Sequence, residues 1–110
     1  MNKITLYQFE DVTIKISMKM YFNDKNQLIF EGHDIGKKVK ALKGASDYEY
    51  YYTINFEEVK KIAVLLEVKE EDKAALLQEI KKRFSGNHAY SKFGKFMEKN
   101  AIVFEQFTWR

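Results

Sequence analysis

The stretch VTIKISMKMYF, residues 12–22, decides the fold because it carries the clearest strand pattern in the chain. Its even-numbered positions, which include Val12 and Phe22, are all apolar, and its odd-numbered positions are polar up to Tyr21. Successive side chains of a strand point to opposite faces of a sheet, so this pattern predicts a strand with one apolar and one polar face. Such a strand is typical of an antiparallel sheet that has one face open to solvent and the other covered by helices.

The flanking segments predict further strands in the first half of the chain. Residues 4–9 are short and apolar, and a tight turn at Glu10-Asp11 would pair them with the stretch 12–22. Asn23-Asp24-Lys25-Asn26 is dense in turn-forming residues, which predicts a hairpin that returns along residues 27–31. The glycines of GHDIG, residues 32–36, are expected to end that strand at a bend or bulge. Residues 36–46 fit either a short strand or a loop.

The segment DYEYYYTI, residues 47–54, predicts a fourth strand because tyrosine, threonine and isoleucine favour the pleated sheet. Its even positions end at Ile54 and are together more apolar than its odd positions. We therefore expect the even face to point inward. Tyrosine hydroxyls need hydrogen-bond partners, which places them at the edge of the core.

The second half of the chain predicts three consecutive helices. The first spans residues 56–68, with Asn55 as N-cap and Glu58 reaching back to the cap. The second opens at Glu70-Glu71-Asp72 and ends at Lys81-Lys82-Arg83, with acids near the first turn and bases near the last that oppose the helix macrodipole. The third spans residues 88–99 and has Asn87 as its expected cap.

A last strand is predicted over residues 101–109, AIVFEQFTW. Its apolar alternation changes phase along the segment, which a bulge near Glu105-Gln106 would explain. The expected fold class is therefore α+β: an antiparallel sheet of about five strands, four N-terminal and one C-terminal, with three consecutive helices packed on one face. The 110 residues contain no linker-like stretch, so a single domain is expected over 1–110.

Composition excludes several classes of function. The chain has no cysteine, which excludes disulfides and thiolate metal sites. No segment approaches the roughly 20 apolar residues of a membrane span, and the N-terminus lacks the apolar run of a signal peptide. We therefore expect a cytoplasmic protein that does not interact with membranes.

The sequence contains no clear set of residues for binding a metal ion or for catalysis. Only His33 and His88 are imidazoles, and Glu31-x-His33-Asp34 has no second donor cluster at a matching spacing. His33 with Asp34, or His88 with Tyr90, are the acid–base pairs that the chain offers, and pairs of this kind arise by chance among sixteen acids. No phosphate-binding or nucleophile motif is present. We expect no metal, no cofactor and no enzymatic activity.

Binding is the remaining class, and two adjacent segments of opposite charge favour different partners. Residues 44–58 hold four acids and no base among many tyrosines, which favours protein binding because tyrosine is enriched at interface hot spots. The predicted partner-binding residues are Asp47, Tyr48, Glu49, Tyr50, Tyr51, Glu57 and Glu58. Residues 36–43 hold four lysines, and the alternative is a single-stranded nucleic-acid-binding protein that uses Lys37, Lys38, Lys40 and Lys43 beside sheet aromatics. Asp47 and Glu49 would repel phosphates, so nucleic acid is not the expected partner.

Four segments together resemble a known group of proteins: GHDIG (32–36), DYEYYYTI (47–54), LLQEIKKRF (76–84) and FGKFMEKNAIVFEQFTW (93–109). They are similar to small immunity proteins of bacterial contact-dependent inhibition and related polymorphic toxin systems. The resemblance implies a compact cytoplasmic α+β protein that binds and neutralises a cognate toxin domain, often a nuclease. Inhibitors of nucleases are commonly acidic, whereas this chain has a net charge of +3, so only the acidic segment could play that part. A homodimer that pairs edge strands also stays open.

Overall fold

The computed structural model describes residues 3–109 as one five-stranded antiparallel sheet and four helices. The strands lie in the order β1-β2-β3-β4-β5, so β1 and β5 are the edges. The α+β class and the antiparallel sheet are confirmed, and the helix count is four rather than three. The elements in chain order are β1 (Lys3–Glu10), β2 (Lys15–Phe22), β3 (Leu28–Ile35), α1 (Lys37–Lys43), β4 (Asp47–Ile54), α2 (Phe56–Leu65), α3 (Lys73–Arg83), α4 (Ala89–Lys99) and β5 (Glu105–Trp109).

Strand β2 confirms the alternation that the sequence predicts. Its even positions, Ile16 to Phe22 in steps of two, are all buried, and its odd positions are not. The strand begins at Lys15 rather than at Val12, whose side chain is 96% exposed. The Asp11 carboxylate causes this difference, since it accepts hydrogen bonds from the backbone N–H groups of Thr13 (2.7 Å) and Ile14 (2.9 Å) and so forms a turn.

Strand β3 passes through Gly32 without a bend or bulge and ends at Ile35, directly before a bend at Gly36. The predicted strand end is therefore confirmed at the second glycine and was wrong at the first. The pairing of β3 with β2 is continuous from Phe22↔Leu28 to Lys15↔Ile35. Gly32 is needed there because the Tyr50 ring of β4 covers it: a Cβ atom on Gly32 would lie 1.8 Å from Tyr50 Cε2. The glycine marks a close side-chain approach rather than a change in backbone direction.

The lysine-rich segment forms helix α1, which corrects the expectation of a strand or a loop. Lysine, alanine and leucine are good helix formers, and Val39 points into the protein and is buried. Glycines bound the helix: Gly36 has φ 132° and Gly44 has φ 81°, backbone angles that side-chain-bearing residues rarely adopt. The Gly44 N–H donates to the Lys40 carbonyl at 2.9 Å and closes the last turn.

Helices α2, α3 and α4 lie close to their predicted positions, but their ends differ. Helix α2 ends at Leu65 rather than at residue 68, and α3 begins at Lys73, after the three acids. The N-cap residue of α4 is His88, so the prediction that Asn87 caps this helix was wrong.

The side-chain cap of α2 also differs from the prediction. Asn55 accepts a hydrogen bond from Gln27 Nε2 (2.8 Å) and makes no side-chain cap bond. Asp72 does cap α3, accepting from the Ala75 N–H at 3.0 Å. The predicted capping box at α2 was wrong because the Glu58 carboxylate accepts a hydrogen bond from the backbone N–H of Val103 instead.

The segment before β5 explains the change of phase that the sequence attributes to a bulge. Residues 101–104 are not in a strand, and β5 pairs with β4 in an unbroken register. Ala101 has φ 55°, and Ile102 and Phe104 pack against the core from this connection. The predicted bulge near Glu105-Gln106 was therefore wrong, since the two phases belong to two different backbone segments.

The core is one cluster that joins the even positions of β2, β3 and β4 to α2, α3 and α4. Phe30 and Phe93 are its largest fully buried side chains. The Tyr52 and Tyr90 rings stack at 4.0 Å, and the Tyr52 hydroxyl donates to the Tyr90 carbonyl at 3.0 Å. The inward even face of β4 is thus confirmed, with tyrosine hydroxyls partnered at the core margin. Among residues 3–109, no helix is long and apolar enough to cross a membrane.

The Glu58 side chain of α2 makes a hydrogen bond with the segment before β5. From this bond we expect the stability of the fold to depend on pH. The carboxylate accepts from the Val103 N–H (2.8 Å) and from Lys61 Nζ (3.0 Å), and these bonds hold the pKa of Glu58 below its ordinary value of 4.5. A lowered pKa in the folded state stabilises the fold above the unfolded-state pKa, and this contribution is lost as pH falls through the folded-state pKa.

We therefore expect Glu58→Gln to lower the free energy of unfolding at pH 7 and to cost less at an acidic pH below the folded-state pKa, where the wild-type carboxyl is also uncharged. Urea denaturation at the two pH values measures the difference. Glu57→Gln is the matched control, because Glu57 is exposed and has a 3.4 Å ion pair with Lys60. An equal loss for Glu58→Gln at both pH values would contradict the assignment.

Candidate functional site

The odd-numbered positions of β2, β3, β4 and β5 share one side of the sheet, here named the odd face. Strand partners that lie directly opposite one another project to the same face. The register therefore aligns His33 with Glu49 and Trp109 in one row of the odd face. The next row contains Glu31, Tyr51 and Phe107, again one residue from each strand.

Three aromatic side chains, two exposed and one half-buried, form a continuous group on this face. The Tyr51 and Phe107 rings are 6.0 Å apart between centroids, and the Phe107 and Trp109 rings are 6.2 Å apart. Phe107 is 53% exposed and Trp109 is 62% exposed. Adjacent large apolar side chains left in water are informative, because contiguous exposed apolar surface marks interaction sites more often than single exposed residues do.

Oriented carboxylates surround these aromatic rings. Glu49 accepts the hydrogen bond of the Tyr51 hydroxyl, and this bond is the main reason that the pKa of Tyr51 lies well above its ordinary value. The phenol therefore stays protonated and keeps donating at neutral pH. Glu31 accepts from the Tyr21 hydroxyl at 3.1 Å, and Asp47 contacts His33 Nε2. These bonds hold the carboxylates in place on β3 and β4.

The acidic and basic side chains of the odd face lie on different strands. Glu31, Asp47 and Glu49 lie on β3 and β4, and Glu105 lies on β5, where the aromatic rings are. The strand next to β3 carries Lys15 and Lys19 at its odd positions. The β3–β5 part of the face is consequently acidic and aromatic, although the whole chain has a net charge of +3.

The structure separates the predicted partner-binding residues into three groups. Asp47, Glu49 and Tyr51 lie together on the odd face, whereas Tyr48 and Tyr50 lie on the even face, where Tyr50 is buried. Glu57 and Glu58 are on α2, beyond the end of β4 that lies opposite Asp47. The length of β4 alone is about 23 Å at the usual rise per strand residue. The seven residues therefore do not form one surface.

Phe107 and Trp109 were not among the predicted partner-binding residues. The predicted bulge near Glu105-Gln106 left the direction of their side chains open. Their regular i, i+2 spacing was the available signal, and the pairs Tyr51↔Phe107 and Glu49↔Trp109 place both on the odd face.

The four lysines of the nucleic-acid alternative share one element. Lys37, Lys38, Lys40 and Lys43 are all on α1, and all four are exposed. The exposed aromatic rings, however, lie beside Glu31, Glu49 and Glu105 on the odd face. Stacked bases there would bring phosphates close to carboxylates, which opposes binding.

One histidine and two carboxylates come within reach of a common ion. Ligand atoms of His33, Asp47 and Glu49 all lie within 4.8 Å of one another. The set suggested by sequence, Glu31-x-His33-Asp34, is not assembled, because Asp34 points to the even face. The three donors are on an open surface and already contact protein partners, and exposed groupings of this kind are common without an ion.

The structure does not bring together the two acid–base pairs that the sequence suggests. His33 contacts Asp47 rather than Asp34, which is on the other face of the sheet. His88 is the exposed N-cap residue of α4. Tyr90 stacks on Tyr52 and donates its hydroxyl to the Tyr51 carbonyl at 3.0 Å. These contacts give Tyr90 a structural role.

Comparison with known proteins yields no match: no family model, no curated protein and no solved structure is similar to this chain. Function therefore has to be inferred from the side chains. The odd face is the surface whose exposure, charge and contacts are the most informative.

Proposed function

We propose that this chain is a non-catalytic protein-binding module, and that it acts in the cytoplasm as an immunity protein that neutralises a toxin domain. The observation that carries the proposal is the exposed pair Phe107 and Trp109, which lies beside Tyr51 on the odd face. Aromatic side chains of this kind supply much of the binding energy at protein interfaces, because they bury large areas at a low entropic cost.

The carboxylates around the aromatic group favour a basic partner surface. Glu31 lies opposite Tyr51, Glu49 lies opposite Trp109, and Asp47 follows Glu49 on the same face of β4. A partner that brings lysine or arginine to this rim would therefore gain complementary charge. Complementary charge at the rim speeds encounter and fixes orientation, whereas the aromatic centre supplies affinity. Nuclease toxins need basic surfaces to hold phosphates, which agrees with the immunity interpretation that the sequence resemblance suggests.

The nucleic-acid alternative makes a different prediction. A single-strand binder would retain oligonucleotides on a column at low salt and release them as salt rises. Changing Lys37, Lys38 and Lys40 to alanine would then abolish retention. We expect no retention, because the exposed rings and the lysine helix do not form one cationic platform.

Co-expression tests the proposal. The tagged chain is produced together with the C-terminal domain encoded immediately upstream of its gene, and both toxicity and co-purification are measured. We expect a domain that kills cells when alone, is tolerated with this chain and co-purifies with it at one to one. A harmless neighbour, or one that does not bind, would overturn the immunity proposal. A homodimer in size-exclusion chromatography whose formation buries Trp109 would assign the odd face to self-association instead.

A further inference from the structure

A pocket of about 230 Å³ opens on the even face, away from the odd face. Side chains of β3 and β4 form its floor, α4 forms one wall and the end of α1 forms another. Drug-sized ligands usually occupy pockets of about 300–1,000 Å³, so this one suits a smaller molecule. Its lining includes Asp34, Lys43, Tyr48, Tyr50, Tyr90 and Ser91.

Three tyrosine rings form an aromatic corner in this pocket. The Tyr48 and Tyr50 rings lie 5.5 Å apart between centroids, and the Tyr50 and Tyr90 rings lie 4.7 Å apart at an angle of 69°. All three rings line the pocket, and one face of the Tyr90 ring is stacked on Tyr52. The negative face of an aromatic ring attracts cations, and cages of several rings bind organic ammonium ions.

A half-buried carboxylate is placed at the same corner. Asp34 Oδ1 accepts the Tyr50 hydroxyl at 2.7 Å, and burial raises the pKa of Asp34 above its ordinary value. A carboxylate has two oxygens and accepts several hydrogen bonds, so the bond from Tyr50 leaves acceptor capacity. A partly desolvated carboxylate gains most from a cation brought close to it.

The chain itself brings an ammonium group to this corner. Lys43, the last residue of α1, places Nζ 4.9 Å from the centroid of the Tyr48 ring. This distance is within the range of cation–π attraction. The charge of Lys43 also offsets a small part of the rise in the pKa of Asp34 that burial causes. The pocket is thus already suited to a positively charged nitrogen on an alkyl chain.

We propose that this pocket is a binding site for small organic ammonium ions, held by Asp34 and by the rings of Tyr48, Tyr50 and Tyr90, with Lys43 as the internal competitor. The ligand nitrogen takes the place between the carboxylate and the rings, and its carbon substituents pack against the rings. The site does not depend on the proposed function, since it uses the opposite face of the sheet.

Titration followed by ¹H–¹⁵N NMR tests the site with matched probes. Choline is compared with 3,3-dimethyl-1-butanol, which has the same shape and no charge, and butylammonium with 1-butanol. We expect saturable shifts of pocket resonances with choline and butylammonium only. Equal shifts with the neutral compounds, or no saturable shift with either cation, would overturn the proposal.

Two lysine variants isolate the competition. Lys43→Met should tighten choline binding about fivefold or more, because it removes a nearby like charge from a partly buried site. Lys40→Met is the matched control, since it removes the same charge from the same helix and Lys40 does not line the pocket. Equal affinities of the two variants would contradict the role of Lys43. Asp34→Asn should abolish binding, and if that variant does not fold, the two lysine variants still decide the result.

Discussion

A single methyl group added at Gly32 is expected to lower the free energy of unfolding by about 1–3 kcal/mol, the usual cost of overpacking a core. The Cβ atom of Gly32→Ala would lie 1.8 Å from Tyr50 Cε2, so the ring must move. Tyr50 is held by its hydrogen bond to Asp34 and by its contacts with Tyr48 and Tyr90. Moving the ring therefore disturbs several interactions at once. Urea denaturation at neutral pH measures the loss.

The sign of this effect identifies its cause. Without a steric conflict, Gly→Ala in a strand would stabilise the protein by about 0.4–1 kcal/mol through the unfolded state. Gly32→Ala made together with Tyr50→Leu should consequently cost much less than Gly32→Ala alone, which a double-mutant cycle measures. Gly44→Ala is the control for backbone strain alone, because a Cβ atom there meets nothing within 4 Å. Full additivity in the cycle would show that Tyr50 is not the obstacle.

Loss of the exposed aromatic pair should have the largest effect on binding. We expect Phe107→Ser with Trp109→Ser to weaken binding of the partner protein more than about 100-fold, since interface hot spots contribute about 2 kcal/mol or more each and 1.4 kcal/mol is a factor of ten. Isothermal titration calorimetry measures the change. Stability should change little, because both side chains are more than half exposed. Unchanged affinity in a folded double variant would place the interface elsewhere.

Charge reversal separates the two groups of acids that the sequence had joined. Glu49→Lys should weaken the same complex about tenfold or more and reduce its salt dependence, because Glu49 lies beside Trp109 on the odd face. Glu57→Lys should have little effect on the affinity of the complex, because Glu57 is on α2 and not on the odd face. If both substitutions weakened binding equally, the interface would include α2 rather than the odd face alone.

Local sequence patterns predicted the structure correctly where interactions between neighbouring residues determine the local conformation. The alternation in residues 15–22 predicted β2 and its buried face correctly. The turn at Asn23 was equally accessible, since its side chain accepts from the N–H groups of Lys25 (3.0 Å) and Gln27 (2.9 Å). Both signals are local, and neighbouring residues alone determine them.

The errors arose where a distant contact decided the structure. The glycines of residues 32–36 predict a bend or bulge, but at Gly32 it is the ring of Tyr50, from another strand, that requires glycine. Glu58 fits a capping box by spacing, yet it bonds the N–H of Val103, which is 45 residues away. Helix α1 has only seven residues and depends on the burial of Val39 and on two bounding glycines, so its pattern was too short to identify.

The candidate site was predictable in composition but not in geometry. The sequence singled out Asp47, Glu49 and Tyr51 correctly as neighbours on one side of β4. It could not add Phe107 and Trp109, because the register between β4 and β5 joins residues that are more than fifty positions apart. It also included Tyr48 and Tyr50, whose even parity places them on the other face. Strand pairing, rather than charge along the chain, determines which residues form a surface.

The most direct test of the binding face uses the one tryptophan of the chain. The protein is labelled with 5-fluorotryptophan, and the single ¹⁹F resonance of Trp109 is followed while the unlabelled partner domain is added. Burial of Trp109 in the complex should move the resonance and remove its sensitivity to exchange from H₂O to D₂O. A one-to-one complex in which the resonance keeps its position and its solvent sensitivity would contradict binding through the odd face.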